Sequence, residues 1–270
     1  MNHVQIDKVS RYLPSSWNEL TFRQLIQACS FFNQDIISTH FKLSLLKKYL
    51  GISKNTWNKV DPEDAIFLCE TLNFLLEDVT LTKALVKFIR KPRFPFNRYY
   101  GPMDSMSSST FGEFTKAQFR FEEYYKTKDE AILDEMIAVL FRRKKLFWCF
   151  RKHFVESPDV RSRFFDRSLA KRSKAISKLD PAIKQAILLF FSGVQKSLHT
   201  EFPTVYKPKP TKEKETSSGW SNLIISLADG KTDDQSLDRI MNSNLYNVFL
   251  GLEQKAKEYF EFIRKYPQND

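Results

Sequence analysis

Residues 110–145 read TFGEFTKAQFRFEEYYKTKDEAILDEMIAVLFRRKK. Thr110 followed by Glu113 is the capping-box pattern: the hydroxyl takes a backbone N–H left free in the first turn, and the carboxylate reaches back to the cap residue. Phe111, Phe114, Ala117, Phe121 and Tyr125 then recur at 3–4 spacing, which makes one apolar helical face. Lys128-Asp129 restarts the chain, and Ile132, Leu133, Met136, Ile137, Leu140 and Phe141 make a second face. Two helices joined by so few residues pack as an antiparallel pair. Aromatics at this spacing fill a core rather than stack on a ligand. The expected fold is therefore mainly α.

The charge changes where the second face ends. From Arg142 to Lys178 there are thirteen Lys or Arg against Glu156, Asp159 and Asp166, a local net charge of +10 in a chain of +11. An excess of this size attracts a polyanion or an acidic partner surface. The candidate binding residues are Arg142, Arg143, Lys144, Lys145, Arg151, Lys152, Arg161, Arg163, Arg167, Lys171, Arg172 and Lys174. Phe147, Trp148, Phe150, Phe154, Phe164 and Phe165 are interleaved with them. Rings among cations suit single-stranded nucleic acid. The same pattern also fits a solvated basic face over an aromatic core, and no recognised nucleic-acid module accompanies it.

Before the central stretch, Val4 and Ile6 alternate with polar residues and allow one short strand or an extended arm. Ser16/Glu19 and Thr21/Gln24 are overlapping helix-start signals. They precede the stripe Leu20, Leu25, Ala28, Cys29 and Phe32. Residues 36–50 read as the next helix, with Gly51 just past its end. Asp61-Pro62, Ser157-Pro158 and Asp180-Pro181 each place a cap before a proline at the first helical position. The first of these helices is expected to reach Leu76, and a short further helix to cover 81–89. Prolines then forbid helix near Pro92 and Pro95, so residues 91–109 read as an ordered connection.

After the basic run, Ile183, Ile187, Phe190, Phe191, Val194 and Leu198 repeat at helical spacing. Residues 207–218 are polar, contain Pro208 and Pro210, and have the character of a linker. Beyond it, Trp220, Leu223, Ile224 and Leu227 form a short face. Leu245, Val248, Phe249, Leu252, Ala256, Tyr259, Phe260 and Ile263 form a long one. That long face must dock on the body, on a second copy or on a partner; Leu245, Val248, Phe249, Leu252, Tyr259 and Phe260 are its candidate contact residues. The expected organisation is a multi-helix, bundle-like body over 1–206 with its basic region at 142–178, a linker over 207–218 and a helical tail over 219–270.

Composition limits the function classes. A chain of 270 residues can bury a core without cross-links. Its 25 Phe imply an aromatic core, and its 7 Gly disfavour a sheet of tight turns. Cys29, Cys69 and Cys149 are odd in number and far apart, which points to a reducing compartment. No secretory h-region or membrane-length apolar run appears, so the expected location is the cytoplasm. No glycine-rich phosphate loop occurs. His3, His40, His153 and His199 are scattered, and Cys149 with His153 is an incomplete metal site. Cys149 lies among cations that could lower a thiol pKa, but it has no identifiable base. No catalytic residue, metal or cofactor is assigned, and the chain reads as non-enzymatic.

Several blocks resemble a group of phage and prophage proteins from gut Bacteroidales that are encoded among tail genes. Ser16-Trp17-Asn18-Glu19-Leu20-Thr21-Phe22 is similar to their WxELT block. Gly101-Pro102-Met103-Asp104 with Thr110-Phe111-Gly112-Glu113-Phe114 is similar to their GP-x-D…TFGEF block, and Ala138-Val139-Leu140-Phe141-Arg142 to an A-x-L-[YF]-R block. Gly219-Trp220 is similar to the start of their C-terminal region. Arg143 stands where the family has proline. The resemblance implies a tail assembly chaperone or tail-completion protein. A chaperone of this kind binds apolar helices of a tape-measure protein while tube subunits assemble, in the bacterial host cytoplasm. A structural component retained in the virion (a connector or internal protein), self-association, and nucleic-acid binding through 142–178 remain alternatives.

Overall fold

The computed structural model describes residues 2–6, 9–32, 39–91, 94–145, 159–164, 166–207, 227 and 233–265. Along the chain these form strands β1 (Asn2–Ile6) and β2 (Val9–Leu13), then helices α1 (Phe22–Phe32), α2 (Thr39–Leu50), α3 (Lys54–Trp57) and α4 (Pro62–Glu70). Strands β3 (Phe88–Lys91) and β4 (Phe94–Tyr100) follow, and then α5 (Phe111–Thr127), α6 (Glu130–Leu140), α7 (Leu169–Ile176), α8 (Pro181–Glu201), α9 (Asp234–Asn242) and α10 (Leu245–Lys265). The protein is mainly α, with two small antiparallel hairpins, β1–β2 and β3–β4. Among the described residues, no helix is long and apolar enough to cross a membrane.

Contacts divide the chain into one unit of residues 1–86 and 179–194 and another of 87–178 and 195–270. The boundary differs from the compositional one. The C-terminal helices share a unit with the central α5–α6 pair because backbone bonds join them: Phe111 N–H donates to the Ser243 carbonyl, and Leu245 N–H to that of Ser109, both at 3.0 Å. Apart from Lys207 the expected linker lies outside the described residues, as does the expected 220–227 face apart from Leu227.

In the first unit, where one short strand or an extended arm is expected, the chain forms a hairpin in which His3 pairs with Tyr12 and Asn2 with Leu13. Trp17 is 1% exposed and lies against the rings of Phe32 and Phe74, at 6.2 and 5.8 Å. Thr21 and Gln24 cap α1 reciprocally. Leu25, Ala28 and Cys29 of α1 are buried, as are Phe41, Leu45, Leu46 and Tyr49 of α2. Tyr49 Oη–H donates to the Gln24 carbonyl at 2.9 Å and so links the two helices. Burial pushes the Cys29 thiol up to about 12. Gly51, φ +58, ends α2.

Two expectations fail here. The helix after Asp61 stops at Glu70, and a short 3-10 turn, Asn73–Leu75, takes its place. Residues 81–89 are not helical: they run extended into β3. The cause is tertiary. Asn18 Oδ1 accepts from Thr82 and Lys83 N–H at 2.9 and 3.0 Å, and Asn18 Nδ2 donates to the Thr80 carbonyl at 3.1 Å. One side chain thus pairs three polar groups of the extended backbone. Leu81 also lies against Gly193 of α8, where a Cβ would come within 2.3 Å of the Leu81 carbonyl oxygen.

In the second unit, Thr110 and Glu113 form the expected capping box at the start of α5. Lys128 closes α5 in the left-handed region at φ 57, and Asp129 accepts from Ala131 N–H at 2.8 Å to open α6. Arg120 of α5 bridges to Glu135 of α6 at 2.9 Å. Phe111, Phe114 and Ala117 are fully buried, whereas Tyr125 is exposed. Helix α6 is buried through Met136–Leu140 and packs on both α5 and α7.

Candidate functional site

The most unusual feature of the second unit is a buried ionic junction. Glu113 enters it from the first turn of α5, Arg142 from just after α6, and Asp159 and Arg161 from the segment that pairs with Lys144. Glu113 and Arg161 are 1% exposed and Arg142 is 3% exposed. The Arg142 guanidinium contacts one oxygen of Glu113 and lies 3.4 Å from Asp159. Arg161 reaches the other Glu113 oxygen at 3.2 Å and Asp159 at 2.9 Å. Arg161 also donates to the Leu140 carbonyl at 2.8 Å and to Ser109 Oγ at 3.1 Å. Two guanidinium groups therefore face two carboxylates, with backbone and hydroxyl oxygens taking further N–H groups. Charges so deep persist only when paired and hydrogen-bonded. Burial pulls Arg142 down to about 10; Glu113 opposes that shift, neighbouring Arg161 adds to it, and Asp159 opposes it. Arg142 is still a cation at neutral pH.

Residues 110–114 of the TFGEF block each have a packing or hydrogen-bonding role. Thr110 caps α5, and its own N–H donates to Glu113 Oε2 at 3.0 Å. Phe111 and Phe114 pack on Phe249 with ring centroids 6.1 and 5.6 Å apart. Gly112 leaves room for α9, because a Cβ there would fall 2.9 Å from the Met241 carbonyl oxygen. Glu113 meets Arg142, the last residue of the A-x-L-[YF]-R block. That block is held a second time, by reciprocal backbone bonds between Arg142 and Tyr100 at 2.7 and 3.0 Å, immediately before Gly101-Pro102. The blocks are thus parts of one packing arrangement. In the first unit the WxELT block has the same character, through buried Trp17 and the Asn18 clamp.

The candidate basic residues separate into distinct groups. Arg142 and Arg161 are in the junction. Arg172 is 7% exposed, with its Nε–H on the Ala138 carbonyl at 2.9 Å and its guanidinium 5.7 Å from the Phe164 ring. Arg163 lies on the surface, 3.5 Å from Asp238. Arg143, Lys144, Arg167, Lys171 and Lys174 are exposed, and Lys145 is half-buried. Arg151 and Lys152 fall outside the described residues, as do Cys149 and His153 and the Ser157-Pro158 signal. Among the described residues, no group of three or more His, Cys, Asp or Glu is placed to hold a metal.

Helix α10 divides along its length. Leu245, Val248, Phe249 and Leu252 are buried. Phe249 meets Phe202 and Tyr206 at 5.3 and 6.1 Å, as well as the α5 rings. Buried Glu253 accepts from Thr204 and Val205 N–H, both at 3.0 Å. Towards its end the helix emerges: Tyr259 is 36% and Phe262 59% exposed, and Phe260 is half-buried under Lys207.

Sequence reasoning missed Glu113, Asp159 and Ser109 as partners of the arginines. Glu113 carried a usable signal, since it closes a capping box three residues after the cap and lies between two core phenylalanines. Asp159 carried none, because its role depends on how residues 159–161 return to the strand-like segment after α6.

No protein-family model matches this chain, and comparisons with curated proteins and with solved structures returned no match either.

Proposed function

We propose that this chain is a non-enzymatic assembly protein of phage or prophage tails. In this reading it binds apolar helical segments of tape-measure or tube subunits and keeps them from aggregating before assembly. The observation that carries the reading is the division of α10. Its first half is anchored by Phe249, while Tyr259 and Phe262 offer aromatic surface on the same helix. A helix packed along its first half with an exposed aromatic end suits recognition of another amphipathic helix. The motif resemblance supplies the tail context, and the closed ionic junction favours a scaffolding role for those motifs over a reactive one.

The test is affinity purification of the chain from a host producing phage, with bound proteins identified by mass spectrometry. Near-stoichiometric tape-measure or tube protein, with the chain absent from finished particles, supports the reading. Stoichiometric retention in purified particles favours a structural virion component instead. Recovery without any tail protein contradicts both.

A further inference from the structure

We propose that Arg167, Lys171, Lys174 and Lys178 form a binding stripe for the phosphate backbone of nucleic acid. Lys171 and Lys174 lie one turn apart on α7, with Arg167 in the 3-10 turn just before it and Lys178 just past its end. All four are exposed. The opposite side of the helix is occupied by packing, with Leu169 and Ile176 buried and Arg172 held on the Ala138 carbonyl. Packing therefore fixes which side of α7 faces outward, and the charged side chains that the helix places there are cations.

A solvated surface with no other demand on it intersperses both signs. Other helices of this chain do so: Arg120 pairs with Glu123 and Glu135, and Lys257 with Glu253. Helix α7 contains no Asp or Glu, and among the described residues no carboxylate pairs with any of the four cations. Like charges at these spacings repel. The helix dipole accounts for Lys174, which lies in the last turn, but it disfavours Arg167 at the opposite end. The arrangement costs helix stability locally and gains most when an extended anion lies along it.

The occupant follows from the charge pattern. The four cations recur at intervals of 4, 3 and 4 residues along the chain, a series that suits a regular line of phosphates better than the irregular acidic surface of a protein. The described ring beside the helix, Phe164, is against Arg172. Contact of these cations with the phosphate backbone carries no sequence preference. This inference does not depend on the tail-assembly reading.

The test uses the full chain and a fluorescently labelled oligothymidylate, with binding followed by anisotropy. Four phosphate contacts, each adding about 0.7 to the salt slope, predict about fifty-fold weaker binding between about 50 and 200 mM salt. The variant Arg167→Gln/Lys171→Gln/Lys174→Gln/Lys178→Gln is compared with Lys54→Gln/Lys83→Gln/Lys126→Gln/Lys265→Gln, which removes equal charge from exposed sites elsewhere. The stripe variant should bind at least about tenfold more weakly than this control, in line with loss of most of that salt-dependent affinity. In the wild-type chain, bound oligonucleotide should also protect Lys171, Lys174 and Lys178 from acetylation, a readout independent of how the variants fold. Equal loss in the two variants, no protection, or stronger competition by polyglutamate than by unlabelled oligonucleotide would each overturn the proposal.

Discussion

Glu113 and Arg142 form a buried ion pair that joins the start of α5 to the segment leaving α6, with 1% and 3% of their surfaces exposed. Arg161 shares the same carboxylate from the other side. Removing one member of a buried ionic group leaves its partners charged and unpaired, at a cost of about 3–5 kcal/mol. Glu113→Gln is therefore expected to destabilise the protein by that amount in urea unfolding. Asp159→Asn should cost less, because Asp159 is more exposed and lies farther from Arg142 than Glu113 does. Equal, small effects of the two substitutions would show that the junction is not organising this unit.

Two glycines test close packing in the two units separately. A Cβ at Gly193 would meet Leu81 backbone atoms at 2.3, 2.6 and 2.7 Å, whereas one at Gly112 would meet a single backbone oxygen at 2.9 Å. Overpacking of this kind costs roughly 1–3 kcal/mol. Gly193→Ala should lie at or above the upper end and Gly112→Ala near the lower end, as read from shifts in the urea midpoint.

Glu253 gives the fold an acid-sensitive contact. Burial opposes its charge, but the N–H groups of Thr204 and Val205, together with Lys257, outweigh burial and hold its carboxyl below the usual value of 4.5. Between the folded and unfolded values the unfolded chain binds the extra proton, so stability falls as pH drops. The contribution is complete above about 4.5 and is lost as pH falls through the folded value. Glu253→Gln should cost about 1–2 kcal/mol at neutral pH. The gap between variant and wild type should close in acid. A gap that stays constant from neutral pH into acid would exclude this linkage.

Much of the helical framework was legible in the sequence because its signals are local. The Thr110–Glu113 box, the caps at Asp61, Asp129 and Asp180, and Gly51 each act within a few residues of themselves. The extended course of 81–89 was not legible, since it depends on Asn18 and Gly193, both remote in sequence. The direction of the basic residues was equally hidden. A charge count treats Arg161 and Lys171 alike, yet one is sealed against Glu113 and the other faces solvent. Helical spacing separates Lys171 from Arg172 once the packed face of α7 is known, but Arg142 and Arg161 are placed by backbone pairing that no local period predicts.

The most direct measurement is suppression of aggregation. An isolated apolar helical segment of a phage tape-measure protein is diluted from denaturant, and light scattering is followed with and without the purified chain. The wild-type chain should hold scattering down at near-equimolar amounts. Tyr259→Ser/Phe262→Ser should lose most of that effect, while Phe119→Ser, which alters an exposed ring on α5, should retain it. Unchanged scattering with the wild-type chain, or equal suppression by all three proteins, would contradict a role for the end of α10 in holding tail subunits.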